Sequence, residues 1–219
     1  SGNISFTGAT QGTPLMIKRG AGTWILSGTN TMTGTPATST NNNNGIQVLD
    51  GVLSLRNNLA LGSVAQVWVG NKTTSYIQNG TTATSYTSTS GGTLEVANGI
   101  TLDNGLTLNL VNAGTLRSSG SNTVNSLVKL ATDAGVSATL STVNSNDVFT
   151  LGNAANDLTG GAADTVIRIS GPGTVNLAQS SNYVGSWSVN AGTLKIGNSS
   201  ALGTSGALAF GAGSTGVVQ

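Results

Sequence analysis

The chain has 219 residues, of which only 7% are charged, and its formal net charge is +1; an average soluble protein carries roughly a quarter charged residues. That balance leaves no electrostatic footprint for nucleic acid or an anionic membrane surface. With neither Cys nor His, disulfides and thiolate metal sites are excluded, and the commonest general base is missing.

The opening SGNISFTG has no basic segment leading into an apolar run, so any export signal is expected to have been removed or to lie outside this sequence, and no stretch approaches the roughly 20 apolar residues of a membrane-spanning helix. Further along, 37% of the residues are hydrophobic and alternate with Ser, Thr, Asn and 32 Gly, a pattern of ordered strands rather than disorder. In chain order the period-two segments are Gly51-Val52-Leu53-Ser54-Leu55, Leu94-Glu95-Val96, Leu106 to Leu110, and Leu194-Lys195-Ile196. Asn125 to Ala134 is the best candidate for a helix, with an irregular rung or a loop excursion as the alternative. Two uncharged polar stretches, residues 35–44 (TPATSTNNNN) and 71–90, read as loop excursions.

Repetition sets the architecture. Gly-Thr-Leu occurs at Gly92, Gly114 and Gly192, with variants at Gly22, Gly51 and Gly173. A spacing near 20 residues, with two or three short strands per period, is that of one winding of a parallel β-helix. The expected fold is therefore all-β, a right-handed parallel β-helix of about ten coils forming one domain over residues 1–219. Alternation along each strand turns Trp24, Leu26, Leu53, Leu55, Leu94, Val96, Leu116, Leu194 and Ile196 inward as stacked ladders. Glycine before Thr suits a corner that needs positive φ or a close backbone approach, and Asn57, Asn98, Asn112, Asn190 and Asn198 suit the other corners, where their amides could stack between coils.

Two longer segments echo each other. RGAGTWILSGTNTMTG at 19–34 matches SGPGTVNLAQSSNYVG at 170–185, and each leads into a Gly-x-Leu strand and then Ala-Leu-Gly. Together they resemble the autotransporter-associated β-strand repeat, or passenger-associated transport repeat, with copies at 20–63 and 171–203. Met32 stands where Tyr183 keeps the usual aromatic. The resemblance implies a right-handed β-helix from an exported, cell-surface bacterial protein, with structural rather than catalytic motif residues. The expected role is therefore that of a rigid extracellular spacer, fibre or adhesin passenger element, and not of an enzyme.

The remaining features are weighed against that reading. Glu95 and Asp103 could lie on neighbouring strands, as the carboxylates of a polysaccharide-degrading β-helix enzyme would, but isolated outward charges are expected. LTGGAADTV at 158–166 is similar to the calcium-binding nonapeptide of toxin-type β-rolls. It occurs once and is one residue short, so Asp164 is a weak Ca²⁺ candidate and a structural turn is expected. No cofactor is expected. Tyr76, Tyr86 and Trp187 are the candidate contact surface, through which a host or matrix glycan or protein could be bound. Copies of the chain, or adjoining coils of a longer one, are expected to dock end to end. A carbohydrate-binding or polysaccharide-degrading β-helix is the alternative.

Overall fold

The computed structural model describes residues 4, 14–33, 45–78, 82–88, 90–103 and 105–219. Among these there are strands and turns and no helix. Three parallel sheets, offset along the axis, build the fold, and the chain visits them in rotation: the first takes its strands from residues 14–160, the second from 23–210 and the third from 101–218. The first sheet is built from Pro14–Lys18, Gly45–Val48, Gln66–Val69, Thr107–Leu110, Leu127–Leu130 and Leu158–Gly160. The second holds Thr23–Leu26, Gly51–Leu55, Gly92–Ala97, Gly114–Ser119, Ser137–Thr142, Val166–Ser170, Ser186–Val189 and Leu208–Phe210. The third holds Thr101–Leu102, Asn122–Val124, Val148–Leu151, Thr174–Leu177, Thr193–Ile196 and Val217–Val218. This is a parallel β-helix.

Strands form here because alternating side chains find two different environments. Leu53, Leu94, Leu116 and Leu140 stand in register on successive strands of the second sheet and are wholly buried. Phe149, Val175 and Leu194 do the same on the third sheet, as Val67, Leu108 and Val128 do on the first. All belong to one core that fills the bore of the helix. Each buried aliphatic side chain contributes roughly 1.5–3 kcal/mol by leaving water, and nearly every backbone group is satisfied by the winding above or below.

The eight strands of the second sheet give eight windings among the described residues, against about ten expected. Windings are not uniform in length. From Leu53 to its neighbour Leu94 the chain spends 41 residues on one turn, not two, because an antiparallel hairpin of Thr73–Gln78 and Thr82–Thr87 leaves the helix there.

Three further expectations are corrected. The helix read at Asn125 to Ala134 is a strand, Leu127–Leu130, with Val128 and Leu130 inward and Leu127 and Lys129 outward; the outward Leu127 disguised a period of two. Trp24 pairs with Leu53 in register but is 46% exposed, because its strand opens the second sheet and no described strand stacks on its other side. The corner amides reach backbone or hydroxyl groups rather than one another: Asn57 and Asn198 each accept the amide N–H two residues on, at 2.8 and 2.9 Å, and Asn112 accepts that of Ser137 in the next winding at 3.2 Å. Asn190 accepts from the Ser188 hydroxyl, and Asn98 sits at positive φ.

The two long echoes have the same local construction. Ala60 and Ala201 are fully buried, as are Met32 and Tyr183 in the winding before each. Ser63 N–H donates to the Met32 carbonyl at 2.8 Å, and Thr204 N–H to that of Tyr183 at 2.9 Å. Gly62 and Gly203, both at positive φ, lie so close to those same residues that a Cβ would overlap their backbone. The Ala-Leu-Gly corner is thus the seat on which Asn30-Thr31-Met32 or Ser181-Asn182-Tyr183 of the preceding winding rests.

Candidate functional site

The hairpin departs from the parallel winding of the helix. Asp50, at the corner between the first two sheets, anchors its base. It accepts from the Tyr86 hydroxyl, from Ser88 Oγ at 3.0 Å and from Ser90 Oγ at 2.6 Å. Burial alone would raise the Asp50 carboxyl, but the hydrogen bonds from Ser90, Tyr86 and Ser88 outweigh it and hold the group below the usual carboxylate range. The fully buried Lys18 ammonium caps the same corner by donating to the carbonyls of Arg19, Gly20 and Asp50.

Next to this corner, on the outer face of the first sheet, lies a groove of about 410 Å³. Its floor is a column of outward side chains in register on three successive windings: Trp68, Asn109 and Lys129. Asn71, Lys72, Asn112 and Asp133 complete its polar wall. The Lys72 ammonium lies 3.9 Å from the centre of the Trp68 ring, a cation–π contact. Burial there lowers the Lys72 amine to about 8. Asn109 is only 7% exposed, yet neither its amide nitrogen nor the Trp68 indole N–H meets an acceptor among the described residues. Buried donors without partners are costly and uncommon.

The residues singled out from the sequence are scattered. Tyr86 turns back onto Asp50, with the Arg19 guanidinium 5.0 Å from its ring centre, so it fastens the hairpin instead of presenting a contact surface. Tyr76 pairs with Thr84 within the hairpin. Trp187 is a core residue, 1% exposed, stacked between Ile167 and Leu208, with its indole N–H on the Leu202 carbonyl at 2.9 Å. Residues 35–44 lie outside the described residues.

Leu53, Leu55, Leu94, Val96, Leu116 and Leu194 are wholly buried, Leu26 nearly so, and Ile196 partly. Asp164 accepts the Gly135 N–H at 2.7 Å, bracing a turn of the neighbouring winding. Glu95 is not an isolated charge: it faces outward at 8% exposure, paired with Arg117 at 2.7 Å and accepting from Ser54 Oγ at 2.8 Å. Asp103 follows the third sheet, a face away, where Asn125 donates to it. Trp68, Lys72, Asn109 and Lys129 went unnoticed in the sequence. Gln66-Val67-Trp68-Val69 and Leu108-Asn109-Leu110 do mark Trp68 and Asn109 as outward by alternation, but their stacking depends on a register hidden by the hairpin inserted between them.

Residues 16–55 and 170–196 match the family model of the passenger-associated-transport-repeat. Two segments of the chain are thus similar to that repeat. Each matched segment ends just before its Ala-Leu-Gly corner, and the family indicates a surface or extracellular location. No curated protein and no solved structure matches the chain.

The copies occupy different faces. In the first, the Gly-x-Gly-Thr strand and the following Gly-x-Leu strand are neighbours in the second sheet; in the second copy both lie in the third sheet. One repeat is one winding, whichever face it begins on. Gly51 packs against the carbonyls of Gly20 and Gly22, and Gly192 against those of Gly171 and Gly173. The Gly-x-Gly of one winding thus makes room for the glycine of the next.

Proposed function

We propose that this segment is a stiff, non-catalytic spacer in the passenger of an exported bacterial surface protein, holding its hairpin away from the helix surface for contact with a partner outside the cell. The observation that carries the reading is the passenger repeat folded as one complete winding, twice, within a helix whose windings pair in parallel along three faces. Inter-winding hydrogen bonds run along the axis and resist bending. At about 4.8 Å per winding, eight windings make a rod about 38 Å long. The separation of Glu95 from Asp103, and the commitment of Glu95 to Arg117, argue against a catalytic carboxylate pair.

Further windings, from a longer polypeptide or from a second copy, would cover the open ladder at Trp24 and at Phe210, which is 57% exposed. The test is surface labelling of intact cells of the source organism with an antibody against the hairpin, combined with negative-stain images of the protein. Surface labelling with rods of uniform width supports the proposal. Labelling only after lysis, or compact isotropic particles, overturns it.

A further inference from the structure

The groove on the first sheet asks for a ligand that the spacer role does not supply. Its floor residues Asn109 and Trp68 each keep one donor without an acceptor among the described residues, but both nitrogens are closed off from solvent, so the groups a ligand could meet are those of the groove's open lining. Its charges are two lysines, Lys72 and Lys129, against the single carboxylate of Asp133. The chemistry still missing is a negatively charged acceptor.

The volume of about 410 Å³ lies within the roughly 300–1,000 Å³ of small-molecule sites. It is a local feature on a chain of net charge +1, without the extended basic track that a polyanionic nucleic acid needs. Asn71 and Asn112 offer amides suited to hydroxyl groups, while Val111, Ala131 and Val136 offer an apolar wall. Hydroxyls, an apolar face and a carboxylate on one small unit are the features of an acidic sugar.

We propose that this groove binds an acidic saccharide, its carboxylate set against the ammonium groups of Lys129 and Lys72 and its hydroxyls against Asn71 and Asn112. Burial has already lowered the Lys72 amine to about 8, and a carboxylate beside it would hold it charged. Trp68, Asn109 and Lys129, one from each of three windings, form the floor beneath the ligand. The inference is independent of the spacer role, which would stand if the groove bound nothing.

The 219-residue protein is titrated by calorimetry with tetragalacturonate and with sialyllactose, and in parallel with neutral galactotetraose and with tetraglutamate. Saturable binding of at least one acidic saccharide, with neither control binding comparably, is expected. Lys129→Gln should weaken it by about tenfold or more, the scale of one hydrogen bond to a charged group. Arg168→Gln, an exposed outward position on the second sheet, should leave it unchanged. Because Lys129 is exposed, its variant should melt as the parent does, so loss of binding there cannot be loss of fold. No saturable binding of either acidic saccharide, equal binding of galactotetraose or tetraglutamate, or a loss in Lys129→Gln no larger than in Arg168→Gln overturns the proposal.

Discussion

Three consecutive residues, Thr93, Leu94 and Glu95, offer a direct reading of which way each side chain faces. Leu94 is wholly buried between Leu53 and Leu116 of the adjacent windings. Leu94→Ala removes three carbon groups worth about 0.8 kcal/mol each in transfer free energy, and the cavity left between two stacked leucines brings the loss to about 3–4 kcal/mol. Thr93 faces outward beside Val52 and Thr115, and Thr93→Ala should change stability by no more than about 0.5 kcal/mol. Glu95→Ala leaves Arg117 and Ser54 without the carboxylate they share; with Arg117 partly solvated, the loss is about 1–2 kcal/mol. For a chain of this size 1 kcal/mol moves the melting midpoint by about 2–4 °C. Thermal melts followed by far-ultraviolet circular dichroism should therefore show drops of about 10 °C for Leu94→Ala, about 3–6 °C for Glu95→Ala, and under 2 °C for Thr93→Ala. A Leu94→Ala midpoint no lower than that of Thr93→Ala would refute the inward ladder.

Gly203→Ala should lower the midpoint by several degrees more than Gly206→Ala. Both are at positive φ, but only Gly203 lies against the Tyr183 backbone, whereas Gly206 has open space around it. Asp50 is held below its ordinary value in the folded chain, so its contribution is fully present above about pH 4 and is lost as the pH falls through its lower folded value. Melts between pH 2 and 5 should fall less steeply for Asp50→Asn than for the parent, and parallel curves would contradict the network at the hairpin base. Lys72 behaves in the opposite sense: with its folded value near 8 and its unfolded value near 10.5, the folded chain binds fewer protons in that window, and stability rises with pH across it. Discounted for the half-buried position of the amine, the gain is on the order of 1–2 kcal/mol relative to Lys72→Met; equal pH slopes for the two proteins would refute it.

What the sequence made legible is whatever depends on neighbours along the chain. Alternation in Gly92-Thr93-Leu94-Glu95-Val96 reveals which side chains turn inward, because a strand's period of two is a local property. Trp187 was misplaced for lack of that same test: Ser186-Trp187-Ser188-Val189 alternates as cleanly as any ladder strand, and Trp187 is its inward residue. What depends on the winding above was not legible. Glu95 alternates outward and reads as a lone charge, but its partner Arg117 is 22 residues on, opposite it only after one full turn. The groove is hidden for the same reason, since nothing local says that Trp68 stacks on Asn109 across an inserted hairpin.

The rotation of the repeat between faces shows which interactions the motif encodes. Were it a recipe for one face, both copies would begin on the same sheet, and they do not. Every conserved contact within a copy instead joins a residue to the winding directly above: Gly51 over Gly20 and Gly22, Gly62 over Met32, Gly192 over Gly171 and Gly173, Gly203 over Tyr183. Such contacts are indifferent to which face they stand on, because the three sheets share one bore and one spacing between windings. A motif of this kind, one winding long and tied only to the winding it stacks on, can be inserted or lost one winding at a time without disturbing its neighbours' ladders. That makes length the easily varied property of such a helix, which is the property a spacer needs.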